Sequence, residues 1–126
     1  MNESESFFDE AEDTFRQLAN SHRLQIMFFL DSQNGKISTI SKEMKARMQD
    51  VKRNLDNLLN EGLVERDSQE VFSLTTFGSM IVRQIPSMDF LSKNKEYFSN
   101  HDFGEIPEKF IHRIGELKTR LLNLSS

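Results

Sequence analysis

The 126 residues suit one compact domain with appended helices, and a hydrophobic content of 37% allows a core without disulfides. The absence of cysteine excludes thiolate metal sites and thiol chemistry, no apolar run nears the ~20 residues that span a bilayer, and the acidic N-terminus is unlike a signal peptide. The net charge of −4 argues against nucleic acid, but residues 1–13 carry six acids and no base, which leaves 16 basic against 14 acidic residues elsewhere. We therefore expect a cytoplasmic protein with no membrane partner.

The N-terminal third of the chain is predicted to be helical. Residues 1–8 are expected to form an acidic flexible tail, and apolar residues at steps of three and four from Phe8 to Leu18 predict an amphipathic helix. Ser21 is expected to cap a second helix over 22–31, which is apolar almost all round and should be buried. Asn34-Gly35 then breaks the chain.

Two further helices are predicted before residue 62. A short helix is marked by apolar residues on one face, namely Ile37, Ile40 and Met44. After a few residues, a second helix runs over about 48–61 and ends at Gly62, a typical residue after a helix C-terminus. Its inward face consists of Val51, Leu55, Leu58 and Leu59.

A β-ribbon and a helix follow. Residues 63–66 and 71–74 predict two short strands joined by the turn-prone segment 67–70. Thr75 or Thr76 is expected to cap the next helix, and Pro86 is expected to end it.

The C-terminal region is predicted to form helices over about 89–99 and 107–124. The last helix carries a two-heptad apolar seam of the kind that coiled coils use, made of Phe110, Ile114, Leu117, Leu121 and Leu124. This seam could fold back on its own domain or pair with another chain. Because the body is expected to have its own core from Phe15 to Ile85, we favour a homodimer in which Phe8 and Phe15 assist.

This order of elements predicts a mainly α winged helix-turn-helix with a short two-stranded β-ribbon and extra N- and C-terminal helices. The DNA-binding domain would occupy residues 9–86, and residues 87–126 would form a C-terminal helical dimerisation segment. The recognition helix, over about 48–61, would enter the major groove.

A basic segment supports DNA as the partner. The segment from Lys36 to Arg53 contains six basic residues and two acidic ones. An ordinary solvated surface is the alternative, which the helix-turn-helix context disfavours. Gln49 and Arg53 are candidates for base contacts and Lys52 for a phosphate contact. The predicted DNA-binding residues are Lys42, Lys45, Arg47, Met48, Gln49, Lys52, Arg53, Asn57 and Arg66.

Three segments together resemble ArsR- and MarR-like winged-helix transcriptional regulators. Residues 38–64 are similar to the helix-turn-helix pattern, with matching positions at Ile40, Met44, Val51, Leu55, Leu58 and Gly62-Leu63-Val64. Residues 72–78 resemble the pattern aromatic-x-Leu-Thr-x-x-Gly of the second wing strand and the next helix. Residues 18–26 resemble the family's opening L-x-x-x-x-R-x-x-I-L. The resemblance covers about residues 12–85 and implies a regulator that binds double-stranded DNA.

A fourth segment, residues 97–117, is similar to a linker of archaeal winged-helix regulators, where it leads to a sensing domain. It suggests an archaeal source, but only nine residues follow Leu117, so we expect no sensing domain here. The chain also departs from the family. It lacks the cysteines of ArsR metal sensors, Arg47 stands where Ser or Thr often caps the recognition helix, and Asp67 and Glu70 make the wing acidic.

Nothing in the sequence indicates an enzyme. His22, His101 and His112 lie far apart, and the adjacent His101-Asp102 suits a capping or turn role better than half of a metal or acid–base site. Gly-rich phosphate loops and metal-ligand spacings are missing. We expect no cofactor or metal, and no small-molecule ligand is evident. The alternatives to a homodimeric regulator are a protein-interaction winged helix of the transcription machinery and a chromatin protein that binds DNA without sequence preference.

Overall fold

A computed structural model describes residues 8–105 and residue 108. The chain divides into two compact units, residues 1–79 and residues 80–126. The predicted helix over 107–124 lies outside the described residues, as do its five seam residues Phe110, Ile114, Leu117, Leu121 and Leu124.

The first unit contains helices packed against a two-stranded ribbon, which confirms the mainly α winged-helix fold. The order of its elements is α1 (Asp9–Leu18), α2 (Ser21–Ser32), α3 (Ile37–Met44), α4 (Met48–Asn60), β1 (Val64–Arg66) and β2 (Phe72–Leu74). Helix α5 (Thr76–Val82) runs across the boundary into the second unit.

The ribbon is antiparallel and gains a third partner from the loop before α3. Val64 pairs with Leu74 and Arg66 pairs with Phe72. On the other edge of β2, Gly35 exchanges both backbone hydrogen bonds with Phe72, at N···O distances of 3.1 and 2.8 Å. The sequence indicated Gly35 only as a chain break. Its pairing with Phe72 ties the loop that precedes the helix-turn-helix to the wing.

The core of the first unit is built from α2, α3, α4 and the ribbon. Its buried apolar residues are Ile26, Met27, Leu30, Ile40, Val51, Leu55, Leu58, Leu63, Val64 and Phe72. Two expectations about this core are wrong. Phe28 on α2 is 42% exposed, so α2 is not buried on all sides. Phe15 on α1 is 58% exposed, so the core does not begin at Phe15.

The cap of α2 also differs from the expectation. Ser21 is the first helical residue, and Asn20 is the N-cap, because its Oδ1 accepts a hydrogen bond from the backbone N–H of Arg23 at 3.0 Å. Both residue types cap well, and the position of the helix start decides between them.

The second unit begins within α5 and continues with α6 (Ile85–Lys93), α7 (Lys95–Ser99) and a 3-10 turn (Phe103–Glu105). Pro86 does not end α5, which stops at Val82. It lies in the first turn of α6, where proline is tolerated because those N–H groups have no helical partner.

The predicted helix over 89–99 is in fact two helices, α6 and α7, which meet at Asn94. The backbone N–H of Asn94 donates to Leu91 O at 3.2 Å, and its side chain donates to Phe90 O at 2.8 Å. Local side-chain hydrogen bonds of this kind compete with helix continuation. His101 stacks on Tyr97 with ring centroids 4.1 Å apart, and its Nδ1 donates to Tyr97 O, which agrees with a capping role.

The end of α4 and the start of α5 are clamped together by backbone contacts. Gly62 has φ +77° and ends α4 in a Schellman motif. The N–H of Gly62 donates to Leu59 O, and the N–H of Leu63 donates to Leu58 O. Thr75 Oγ1 donates to Gly62 O at 2.6 Å and accepts from the N–H of Gly78 at 2.9 Å.

Gly78 is required by a close approach of two backbone segments. A Cβ atom built on Gly78 would lie 2.0 Å from the carbonyl oxygen of Leu63. The glycine of the aromatic-x-Leu-Thr-x-x-Gly pattern therefore lets α5 pack directly on the first residues after α4.

Substituting Gly78 with alanine should destabilise the fold by about 2–4 kcal/mol, because the backbone of Leu63 must move to admit the methyl group. Chemical denaturation followed by circular dichroism measures this loss. Gly104→Ala is the matched control, since among the described residues no atom lies within 4 Å of a Cβ added there. Equal stability of the two variants would contradict the backbone clamp.

Candidate nucleic-acid interface

The turn between α3 and α4 is held by backbone and hydroxyl hydrogen bonds. Lys45 adopts the left-handed conformation, with φ 54° and ψ 43°, and its N–H donates to Lys42 O. The N–H of Ala46 donates to Ser41 O at 3.1 Å, and the buried hydroxyl of Ser41 donates back to Ala46 O. These bonds reverse the chain in a few residues and set where α4 begins.

Helix α4 has one anchored face and one face in solvent. Val51, Leu55 and Leu58 are buried, as the sequence predicted. Asn54 is also buried, at 7% exposure, and was not predicted. The opposite face presents polar side chains that can donate and accept hydrogen bonds, which is what reading a major groove requires.

The structure places the predicted DNA-binding residues in solvent around α3, α4 and the wing. The exposed members are Lys42, Lys45, Arg47, Met48, Gln49, Lys52, Arg53 and Arg66. Asn57 is half-buried. The helix-turn-helix thus brings the residues of α3 and α4 to one region, and Arg66 is on β1, the first strand of the wing.

The cations of α4 are paired with acids of the same helix. Asp50 accepts from Arg47 Nε and from Arg53 Nη2, each at 3.2 Å, and Lys52 Nζ lies 3.0 Å from Asp56. Spacings of three and four residues could have indicated these pairs from the sequence. Exposed ion pairs contribute little stability, so these cations can exchange a carboxylate for a phosphate at small cost.

The turn of the wing is stabilised by one of the acidic residues within it. Asp67 Oδ1 accepts from the N–H groups of Gln69 and Val71, at 2.8 and 3.0 Å, which shapes the turn. Arg66 lies over the ring of Phe72, with its guanidinium carbon 5.9 Å from the ring centroid. One of the two wing acids therefore has a structural role, and the wing offers a single cation to a partner.

Arg23 connects α1, α2 and α4 behind this surface. Its Nε donates to Gln17 O at 2.6 Å, Nη2 to Arg16 O at 3.3 Å, and Nη1 to Asn54 Oδ1 at 3.2 Å. The first two bonds satisfy carbonyl groups in the last turn of α1. The sequence contains Arg23 within the family's opening pattern, but periodicity gave no indication of its buried partner.

Within residues 8–105, no three His, Asp or Glu side chains converge as they would around a metal ion. No helix of the described part of the chain has the length and apolar character needed to cross a membrane.

The order of the helices and strands and the exposed polar face of α4 define a winged helix-turn-helix fold. The profile of a family described as the N-terminal domain of the methanogenesis regulatory protein FilR1 matches residues 12–89, and the chain belongs to this family. No curated protein sequence matches the chain significantly.

Solved structures show the same fold at low sequence identity. Mb0332 from Mycobacterium bovis, described as a homodimeric winged helix-turn-helix DNA-binding domain and a possible ArsR-family regulator, has a TM-score of 0.61 and 19% identity, over 81% of this chain and 95% of that one. HlyU from Vibrio cholerae N16961 has a TM-score of 0.54 and 22% identity, over 68% and 94%. The transcriptional regulator HlyU from Vibrio vulnificus CMCP6 has a TM-score of 0.54 and 20% identity, over 67% and 92%.

Replacing Lys45 with glycine should stabilise the fold by about 0.5–1 kcal/mol, because glycine adopts the left-handed conformation without the steric cost of a Cβ. Lys42→Gly removes the same charge inside α3 and should destabilise by about 1 kcal/mol. Thermal denaturation of both variants measures the difference. The role of Lys45 in the turn is refuted if both glycines destabilise equally.

Proposed function

We propose that this chain binds double-stranded DNA in the cytoplasm as a homodimer and regulates transcription by occupying promoter DNA. The observation that carries this proposal is α4, whose apolar face is buried while Gln49, Lys52 and Arg53 project from the opposite side. A helix held in this way can enter a major groove without losing its own support. The description of Mb0332 as a homodimeric DNA-binding domain is in line with this proposal.

Charge supports DNA over a protein partner. Lys42 and Lys45 are exposed and form no ion pair within the described part of the chain. Lys52 and Arg53 are exposed and pair with Asp56 and Asp50, two acids of the same helix. These four cations are our candidates for phosphate contacts, with Arg53 also reading a base. The acidic N-terminus and wing favour the protein-interaction alternative, which the binding experiment below tests.

Dimerisation is proposed through α1 and the C-terminal segment 87–126. No residue of α1 is buried, although the helix is strongly amphipathic, and Phe8 and Phe15 are 64% and 58% exposed. An amphipathic helix without a buried residue, with the largely exposed ring of Phe15 on it, favours an interface. The predicted seam from Phe110 to Leu124 would supply the rest of the contact.

Binding to duplex DNA should fall steeply with added salt. Four phosphate contacts per protomer give a log–log slope of about −7 for the dimer, at roughly −0.9 per phosphate. Arg53→Ala should weaken binding to a selected site by ~1–3 kcal/mol and affect random duplex less, whereas Lys52→Ala should weaken both alike. Fluorescence anisotropy with a selected and a random duplex at two salt concentrations measures these effects.

Each alternative function gives a different result in this experiment. No salt-dependent binding to either duplex would favour the protein-interaction winged helix. Equal losses on both duplexes for Arg53→Ala would remove its base-reading role and favour a chromatin protein.

The native chain should be a dimer at micromolar concentration in light scattering. Phe15→Glu, and the double change Leu117→Glu with Leu121→Glu, should each give monomers, because carboxylates are strongly disfavoured in an apolar interface. Phe15→Leu is the matched control and should remain dimeric. A monomeric native chain would contradict the proposed interface.

A further inference from the structure

A polar cavity of about 220 Å³ lies between the start of α2, the turn before α4 and one side of α4. Its volume is several times the ~30 Å³ that one water molecule takes up in the liquid, so it can hold a phosphate-sized group. The polar side chains around it include His22, Arg23, Asp50, Arg53 and Asn54. All of them belong to the first unit.

Arg23 brings to this cavity a positive charge that forms no ion pair within residues 8–105. Its guanidinium is half-buried, and each of its hydrogen bonds goes to a neutral oxygen, on Gln17, Arg16 or Asn54. Within residues 8–105, no carboxylate forms an ion pair with it. A partly buried charge without a counterion favours an anion beside it.

Asn54 adds a hydrogen-bond donor that does not contact Arg23. Because Arg23 donates to Asn54 Oδ1, the amide orientation is determined, and Nδ2 must point away from the guanidinium. Asn54 is 93% buried and lines the cavity, and Nδ2 has no hydrogen-bond partner among the described residues. Among the described residues, the fully buried side-chain polar atom without a partner is Gln17 Oε1 and not Asn54 Nδ2. Nδ2 is therefore reached by solvent, and it can donate to a ligand oxygen in place of water.

The N-terminus of α2 also favours an anion in this cavity. The backbone N–H groups of Ser21 and His22 make no hydrogen bond within the described part of the chain, and they lie at the positive end of a twelve-residue helix. Asp50 is the opposing charge, but its two carboxylate oxygens accept from Arg47 and Arg53. With Arg23 and Arg53 against Asp50, the lining carries a net positive charge.

We propose that this cavity is an oxyanion site that binds a phosphate group through Asn54 Nδ2, Arg23 and the first-turn amides of α2. Arg53, which lines the cavity, also lies on the face of α4 that we assign to DNA. The phosphate is therefore a backbone phosphate beside the groove that α4 enters. This assignment rests on the proposed function, whereas the presence of an oxyanion site does not.

The site itself is tested on the free protein with inorganic phosphate as the probe. Titration at constant ionic strength against chloride should shift the side-chain amide resonance of Asn54 in a ¹H–¹⁵N NMR spectrum, and the shift should saturate. Asn54→Asp keeps the acceptor for Arg23 and replaces the donor with a second carboxylate oxygen. It should abolish the shifts that phosphate causes at the backbone amides of Ser21 and His22.

Asn60→Asp is the matched control, because it makes the same charge change at an exposed position of α4 that does not line the cavity. It should retain the shifts at Ser21 and His22. The absence of saturable shifts in the wild-type protein overturns the oxyanion site, whether or not Asn54→Asp folds. Unchanged phosphate binding by a folded Asn54→Asp protein overturns it as well.

The proposal that the bound phosphate belongs to the DNA backbone is tested by the salt dependence of duplex binding. Asn54→Asp should make the log–log slope shallower by about 0.9 per protomer relative to Asn60→Asp, since one phosphate contact is lost. Phosphate binding with equal slopes for the two variants would assign the site to a free anion and overturn the backbone phosphate. A wild-type protein that binds phosphate but no duplex would refute the proposed function and leave the oxyanion site standing.

Discussion

The position of α4 depends on one guanidinium group that forms no ion pair within residues 8–105. Arg23 completes the last turn of α1 through the carbonyls of Arg16 and Gln17 and holds α4 through Asn54 Oδ1. Its own backbone N–H is capped by Asn20, so the side chain leaves α2 from a defined position. Lysine could not replace it, because an ammonium group lacks the planar fork that reaches three oxygens in different directions.

The far end of α4 is determined by backbone geometry. Gly62 ends the helix in the left-handed conformation, Thr75 holds the carbonyl of Gly62, and Gly78 lets α5 approach Leu63 without a side chain between them. Helix α4 is thus fixed by Arg23 near its middle and by this clamp at its C-terminus. Its exposed face can meet a partner without rearranging the core, which is the preorganisation that precise readout needs.

Electrostatics at this surface are balanced and local. Asp50 accepts from Arg47 and Arg53, and Asp56 accepts from Lys52, so acids of α4 already balance part of the positive charge. Such pairing lowers the attraction for any polyanion and favours a partner that offers oxygens at matching positions. The net positive charge that the region offers to a partner is therefore modest.

Helical periodicity in the sequence was sufficient to predict much of the fold. The bounds of α3 and α4, the buried face of Val51, Leu55 and Leu58, and the end of α4 at Gly62 all follow from local spacing and from the conformational preference of glycine. Prediction from local patterns failed where the ends of the helices were determined in another way. Asn94 breaks a predicted helix with its own side chain, and Pro86, which was expected to end the preceding helix, lies in the first turn of the next one.

What the sequence by itself determined is which segments form helices and strands and in what order, because both depend on residues a few positions apart. The tertiary structure alone decided that Asn54, a polar residue on a predicted half-exposed helix, is buried against Arg23, 31 positions away. It also decided that Gly35 pairs with Phe72 and that Phe28 remains in solvent. The reason is that a buried polar group is tolerated only when a partner meets it, and distant partners are brought together by the packing of whole elements.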